Sequence, residues 1–382
     1  MEYTEDQFLF PLVTEPRSRW EKAGLSPRQE RSFNRVSTLL VAMFVTGWVY
    51  SIFLAPPEDL EAAGRPPVAR ISSELVRSPL AKDAPTPAAF LTEGVVRAFA
   101  TDFEREAGMA SGAVRVKVLR PGERLDVPGV PTGASVELQS AEGGGAVAAG
   151  QAQNNPGVWN VVLKMADAIR PASGVNIITL VPLSAKKSGR IGSYSIGSWP
   201  YERGGAPKPI FEPPPGLVKV TRQNMNIYVS EHVQLRDFMT KGQEGVWPKY
   251  VALQPPVLDK VELTIQELKR SGHPVKNIFV VSGFRTPSYN EGGGNTAGRA
   301  ALSRHMYGDA LDFAVDNDGD GRMDDLNGDG RVTVADGRVI GAAAERVEKA
   351  HPELIGGIGI YTPTGAHSGF VHLDTRGYRA RW

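Results

Sequence analysis

Two short segments in the last third of this sequence hold side chains suited to binding a metal ion. In the first, SRHMYGDALDFAV at 303–315, His305 precedes Asp312 across a loop that contains Gly308. The alternation in ALDFAV predicts a strand that places Asp312 on the face opposite its large apolar neighbours. A carboxylate in so apolar a segment needs a partner, because burying an unpaired charge is costly. Glycine permits a tight turn, so we expect His305 to return beside Asp312.

The second segment, SGFVHLDTRGYRARW at 368–382, supplies a third ligand. As a strand it places Phe370, His372 and Asp374 on one face. Two imidazoles and one carboxylate leave a fourth position open for water, as in a catalytic zinc site. Zinc in such a site lowers the pKa of its water toward ~7 and polarises a carbonyl. Because the chain contains no cysteine, any transition-metal site must use His, Asp or Glu.

An acidic segment lies between these two, at 316–336, and predicts calcium binding. Glycines at 321 and 330 occupy the sharp-turn position of two overlapping EF-hand-type loops, and the spacing resembles dockerin and thrombospondin-type repeats. The expected oxygen ligands are Asp316, Asp318, Asp320, Asp324, Asp325, Asn327, Asp329, Thr333 and Asp336. The alternative is an acidic, solvated loop, since charge runs alone are usually solvated.

Residues 218–382 together resemble the zinc D-Ala-D-Ala metallopeptidases. The resemblance rests on SRHMYGDALDF, SGFRTPSYN, GGIGIY and GFVHLDTRGYRARW, and it is greatest to the murein endopeptidase branch. It implies an α+β, hedgehog-like fold, zinc held by His305, Asp312 and His372, and hydrolysis of peptidoglycan stem peptides. It also implies an active-site role for Arg285, whose guanidinium suits a carboxylate or an oxyanion.

Around this inferred centre, Ser282 and Asn290 flank Arg285 and are expected to position substrate. The sequence departs from the family pattern at Gly369, where many relatives carry a glutamate as general base. Two candidates for the base remain, Asp374 and His367. Asp374 has the alternative role of orienting a ligand histidine.

The elements that position these residues are predicted from periodicity and turn signals. Apolar residues at helical spacing predict a helix over 258–271, and NIFVV predicts a strand over 277–281. Short β-rich runs over 113–200 predict a small β-sandwich that serves as a spacer or docking module. A proline-rich linker is expected at 201–217 and a further spacer, with some helix around 90–106, at 56–112.

Near the start, residues 36–55 contain no charge over 20 positions and predict a single transmembrane helix. A cleaved signal peptide or a buried helix is the alternative, but no small-residue cleavage pattern follows the run. Six Lys and Arg side chains precede the run between residues 17 and 35, which predicts that 1–35 is cytoplasmic. The remainder would then lie in the periplasm or cell-wall space of a bacterium, anchored to the inner membrane.

Composition narrows the range of partners. A formal net charge of +1 and the lack of a basic, aromatic-interleaved patch argue against nucleic-acid binding. The sequence therefore predicts a membrane-anchored zinc peptidase acting on peptidoglycan, with structural calcium. The alternatives are a D-Ala carboxypeptidase of the same family and a non-catalytic, calcium-stabilised wall-binding module.

Overall fold

The computed structural model describes residues 115–125, 133, 135–148, 155–164, 169–204, 209–294, 296, 299–364 and 368–382. These residues belong to one compact unit of mixed helix and strand. The strands are β1 Arg115–Leu119, β2 Ser135–Ser140, β3 Ala146–Ala148, β4 Gly157–Lys164, β5 Ile169–Thr179, β6 Val181–Pro182, β7 Arg190–Ile191, β8 Tyr194–Ser195, β9 Gly216–Val220, β10 Lys249–Val251, β11 Ile278–Ser282, β12 Ala310–Val315, β13 Gly357–Tyr361, β14 Phe370–Asp374 and β15 Ala380–Arg381. The helices are α1 Pro255–Arg270, α2 Pro287–Gly292 and α3 Val334–Ala350.

The C-terminal sheet has the strand order β11-β12-β14-β13-β15, and its pairs are antiparallel except for β13 with β15. All six residues of β12 and all five of β14 are buried. Burial on both faces explains why the sequence of each strand is so apolar around its one or two polar side chains. The two strands predicted to carry the candidate ligands therefore exist and pair directly with each other.

Helices α1 and α3 pack against each other and against β14 of this sheet. The apolar face predicted for α1 is confirmed, because Leu258, Val261, Ile265 and Leu268 are all fully buried. Two prolines open the helix, where a missing backbone N–H costs nothing, and Gly272 follows its end with a positive φ of 87°. The strand predicted at 277–281 is also confirmed, as β11.

The N-terminal region of the described chain forms one five-stranded sheet, β1-β5-β4-β2-β3, in place of the two facing sheets predicted. One face of this sheet carries its own apolar cluster, which includes Leu138 and Ile177. The other face contributes Val116, Val158 and Ile178 to the same cluster as the core of the C-terminal sheet. A second sheet is unnecessary because the C-terminal region of the chain covers that face.

The segment predicted as a proline-rich linker also packs against this core. Phe211 is buried, and the carbonyl of Ile210 accepts a hydrogen bond from Arg304 at 2.6 Å. Strand β9 then begins at Gly216, pairing with both β6 and β10. Hydrogen bonds also join the N-terminal sheet to the segment that begins with β9, because the side chains of Asn224 and Lys219 both donate to the carboxylate of Glu142.

The predicted membrane span at 36–55, the cytoplasmic segment and the spacer at 56–112 lie outside the described residues. Within the described part of the chain, no helix combines the length and apolar character that crossing a membrane requires.

Candidate metal centre

Strand register brings Asp312 and His372 side by side. In the antiparallel pair of β12 and β14 these two residues are direct cross-strand partners, so their side chains project from the same face. The Nδ1 atom of His372 lies 2.8 Å from Asp312 Oδ1. Both side chains are almost completely buried.

His305 completes the trio from a short 3-10 turn, residues 304–307, that leads into β12. The turn ends at Gly308, whose φ of 74° is a left-handed conformation. A side chain there would also place its Cβ 2.3 Å from the backbone of Ala252. Both the left-handed φ and this close approach therefore require glycine. The tight return predicted from the sequence is confirmed. It brings His305 Nε2 to 3.2 Å from Asp312 Oδ2 and 3.1 Å from His372 Nδ1.

The nitrogen of each imidazole that faces away from the trio bonds to an oxygen acceptor. His305 Nδ1 lies 2.6 Å from the carbonyl oxygen of Gly283, and His372 Nε2 lies 2.9 Å from Asp374 Oδ2. A proton on each outer nitrogen satisfies these acceptors and lets each inner nitrogen present a lone pair to a metal ion. This tautomer arrangement is the one that metal-ligating histidines adopt. In the absence of an ion, His372 also holds a proton on Nδ1, which it donates to Asp312.

The spacing also fits zinc. Neighbouring ligands of a tetrahedral zinc with bonds of ~2.0–2.1 Å lie roughly 3.3 Å apart, close to the separations within this trio. The protein field acts in the same direction. Burial lowers the pKa of His372, but hydrogen bonds to Asp312 and Asp374 outweigh it and raise that pKa to about 9. Positive charge is therefore stabilised where the three side chains meet.

The remaining titratable ligands are tuned to stay in their binding forms. Burial raises the pKa of Asp312, but both histidines outweigh that effect and hold the pKa well below its ordinary value. Burial lowers the pKa of His305, although Asp312 opposes the shift. A carboxylate and a neutral imidazole are the forms that bind a metal.

Asp374 is fully buried and its carboxylate is already saturated with donors. Besides His372, it accepts hydrogen bonds from the backbone N–H groups of Gly357 and Arg376 and from the Arg376 guanidinium. Burial raises the pKa of Asp374, but bonds from His372 and Arg376 outweigh it and keep the pKa well below the usual range. This geometry favours the orienting role over the role of general base. His367, the other candidate base, lies outside the described residues.

Arg285 lies close to the trio. Its backbone N–H donates to the carbonyl of His305 at 3.1 Å, which ties the arginine turn to the histidine turn. Burial lowers the pKa of the guanidinium, and the negative charge of Asp312 opposes that shift. Its buried Nε has no hydrogen-bond partner among the described residues. A charged donor left unpaired beside a candidate metal centre suits a substrate oxygen.

The two residues expected to position substrate lie on β11 and α2. Ser282 is the cross-strand partner of Asp312, so it belongs to the same row across the sheet. Asn290 is buried on α2 and donates to the carbonyl of Ala300 at 3.1 Å. Its Oδ1 has no partner within the described part of the chain.

In the acidic insert, the two loops repeat one hydrogen-bonding pattern nine residues apart. Asp316 and Asp325 each accept from the backbone N–H groups three, four and five residues further on. In the first loop, ligand oxygens of Asp316, Asp318 and Asp324 lie within 4.8 Å of one another. These three form a group that could hold a cation.

The other predicted calcium ligands are placed differently. Asp320 and Asp329 each accept a backbone N–H two residues ahead, and Asn327 bonds Asp329. Thr333 and Asp336 form the capping box that begins α3. Both oxygens of Asp336 already accept backbone N–H groups, so its geometry is that of a helix cap.

The insert contacts the segment that leads into β14. The backbone N–H of Met323 donates to Ser368 Oγ at 2.7 Å, and a Cβ at Gly369 would meet the Met323 sulfur at 3.2 Å.

A third group with ligand atoms close together is Glu231, His232 and Glu262. His232 bonds Glu262 through both its backbone N–H and Nδ1, a pairing that satisfies both side chains without an ion.

Comparisons with protein-family models, with curated proteins and with solved structures gave no match. Support for the resemblance noted from the sequence motifs therefore comes from the geometry of the site. Reasoning from sequence missed the carbonyl of Gly283, which no side-chain pattern could reveal. It also missed the contact of Trp382 with His372, at 5.2 Å between ring centroids.

Proposed function

We propose that this chain is a zinc-dependent peptidase that hydrolyses amide bonds in the stem peptides or cross-links of peptidoglycan. The proposal includes the hedgehog-like peptidase fold for residues 218–382. The observation that supports it most is the convergence of His305 Nε2, an Asp312 carboxylate and His372 Nδ1, with both outer nitrogens bonded to acceptors. Histidines that ligate a metal ion have this arrangement, with the outer nitrogen bonded to an acceptor and the inner nitrogen facing the ion.

In this proposal His305, Asp312 and His372 hold the zinc ion. The chemistry that zinc supplies in such sites is polarisation of the amide carbonyl and acidification of a water molecule. Arg285 directs its unpaired donor toward the substrate, where it stabilises the negative charge that develops on the carbonyl oxygen. Asn290 offers a buried acceptor to a substrate N–H, and Ser282 borders the same row.

Proton transfer needs a group near the attacked carbonyl. Asp374 has no acceptor capacity left for water, because His372, Gly357 and Arg376 use both of its oxygens. We therefore assign Asp374 to holding the tautomer of His372, and we keep His367 as the candidate base.

The same proposal includes the cellular location of the chain, its calcium site and its macromolecular partner. The uncharged run at 36–55 anchors the chain in the inner membrane, with 1–35 in the cytoplasm and the catalytic region in the periplasm. Calcium binds the first acidic loop through Asp316, Asp318 and Asp324 and stabilises the fold without taking part in chemistry. Peptidoglycan is the macromolecular partner.

The first test is zinc content. Purified wild-type chain should hold one zinc, and His305→Ala and His372→Ala should each lose it. His351→Ala is the matched control, because that histidine lies at the end of α3 and bonds Glu353 instead. Full zinc occupancy in both ligand variants would reject the site.

The second test is digestion of purified sacculi with mass analysis of the released muropeptides. Cross-linked dimers that become monomers indicate an endopeptidase, whereas loss of a single alanine indicates a carboxypeptidase. The substitution of the family glutamate by Gly369 favours one further alternative, a non-catalytic wall-binding module. Zinc-loaded protein that binds sacculi and releases nothing would establish that alternative.

A further inference from the structure

Arg285 lies in a turn whose two flanking residues are bonded to one distant side chain. Both neighbours, Phe284 and Thr286, are buried. The hydroxyl of Thr240 donates to the carbonyl oxygen of Phe284 at 3.3 Å and accepts the backbone N–H of Thr286 at 3.0 Å. A single side-chain oxygen therefore bonds both the peptide group before Arg285 and the peptide group after it.

These two peptide groups determine the direction in which the arginine side chain leaves the backbone. Each peptide group is planar, so the free rotations between the two are φ and ψ of Arg285. The first group is held at both ends, because its N–H, which belongs to Arg285, donates to the carbonyl of His305 at 3.1 Å. Fixing the two planes fixes the Cα–Cβ bond and restricts where the guanidinium can lie.

The segment that contains Thr240 packs closely against this turn. It follows a short 3-10 helix, Leu235–Phe238. A Cβ at Gly283 would lie 2.6 Å from the carbonyl oxygen of Asp237 and 3.0 Å from the Cα of Phe238, so the two backbones are in direct contact. Thr240 itself is almost completely buried. Such close packing leaves the hydroxyl little freedom to move away from the turn.

We propose that Thr240 is a positioning residue for the reaction, whose hydroxyl holds Arg285 where its guanidinium meets the negative charge that develops on the substrate. This inference rests on the function proposed above. The buried Nε of Arg285, which has no partner among the described residues, is the donor that this alignment presents. A donor of this kind acts only when it lies at hydrogen-bond distance from the developing charge.

The experiment removes the hydroxyl in two variants and keeps it in a third. Thr240→Val preserves the shape of the side chain, Thr240→Ala removes the hydroxyl without a methyl group in its place, and Thr240→Ser retains the hydroxyl. Thr264→Val is the matched control, because Thr264 is also fully buried and its hydroxyl donates to the carbonyl of Lys260 within α1 at 2.6 Å. All variants are measured in the full, zinc-loaded chain, and the Thr240 variants are also combined with Arg285→Ala.

We expect Thr240→Val and Thr240→Ala to lose about 10–100-fold in kcat on a cross-linked stem peptide, the scale of a displacement of ~1 Å or less. KM should change little, because the affected contact forms in the transition state. Zinc affinity should stay near that of wild type, because Thr240 bonds the backbone around Arg285 and none of the three candidate ligands. Thr240→Ser and Thr264→Val should keep the wild-type kcat.

The combined variants distinguish positioning from general support of the fold. If Thr240 acts through Arg285, its substitution should cause no further loss of kcat once Arg285 is alanine, because coupled residues are not additive. Hydrogen exchange adds a readout that needs no turnover. The amide of Thr286, measured by mass spectrometry, should exchange faster in Thr240→Val and Thr240→Ala than in wild type, while the amides of α1 keep their wild-type rates.

Three results would overturn the proposal. These are an unchanged kcat in both hydroxyl-free variants, a loss by the same factor with and without the Arg285 side chain, and an unchanged exchange rate at Thr286. The proposed function fails separately. If the zinc-loaded wild type hydrolyses no stem peptide, that function is wrong, and the exchange rate of Thr286 then decides whether Thr240 holds the arginine turn.

Discussion

Substitution of Asp374 by asparagine separates the two roles open to this residue. One carboxylate oxygen accepts the His372 Nε2–H and the other accepts the Gly357 N–H. An asparagine has one oxygen, so its NH2 group must face one of these two donors. If it faces His372, the imidazole relieves the clash by taking the other tautomer, which places a proton on Nδ1 and blocks the position of the metal.

The expected loss follows from that geometry. Groups that orient a ligand histidine typically contribute 10–100-fold to metal affinity, which corresponds to about 1.4–2.8 kcal/mol. Stability should fall as well, because Arg376 loses its charged partner. Its side chain is 18% exposed, so the cost should be roughly 1–3 kcal/mol, below that of a fully buried pair.

The assay measures zinc affinity by competition with a chromophoric chelator, and kcat at saturating zinc. Asp309→Asn is the control, because Asp309 is an equally buried carboxylate whose arginine partner is Arg304 and which bonds neither histidine. We expect weaker zinc binding in Asp374→Asn, zinc affinity within about twofold of wild type in the control, and substantial recovery of activity when zinc is saturating.

One result would refute this reasoning. If Asp374→Asn binds zinc as tightly as wild type but loses at least a thousandfold in kcat, Asp374 acts as the base. The assignment of its carboxylate to orientation would then be wrong.

Three further predictions concern other parts of the structure. Arg285→Ala should keep its zinc and its melting temperature but lose about 10²–10³-fold in kcat, measured beside Arg285→Lys; loss of the fold would indicate a bracing role instead. Calcium at millimolar levels should raise the melting temperature, and Asp316→Ala combined with Asp318→Ala should abolish the rise; an unchanged melting curve in wild type would mean that the insert is a solvated loop. Gly308→Ala should destabilise the chain by more than about 2 kcal/mol in denaturant titrations, because of its positive φ and the close backbone of Ala252, and a smaller effect would show that the turn can relax.

Much of the candidate site could be predicted from sequence because its parts are local. The alternation around Asp312, the glycine after His305 and the short C-terminal strand each carry their own signal within a few residues. The predicted convergence of the three ligands depended on those local turns and strands. The direct pairing of Asp312 with His372 is different, because register between strands 60 residues apart leaves no local signature.

Other features escaped prediction because they depend on backbone atoms or distant surfaces. The acceptor for His305 is the carbonyl of Gly283, and every residue has a carbonyl. The β-rich segment at 113–200 has the composition of a sandwich, yet its second apolar face packs on the C-terminal region of the chain. Composition indicates that such an apolar face must pack against another part of the protein, but it does not identify which part. The ring of Trp382 lies over Gly359 through tertiary packing alone.

The shared core of the two large sheets sets the size of the unit that can be moved between proteins. Cutting the chain at the proline-rich segment near residue 217 would remove Val181, the β6 partner of Leu217, and would remove Val116 and Ile178 from the shared apolar core. A fragment beginning there would contain every candidate ligand but would expose an apolar surface that favours aggregation. A fragment that is to be transferred to another protein, by natural recombination or in the laboratory, should therefore extend from β1 to β15, so that the candidate metal centre keeps the upstream sheet that covers its core.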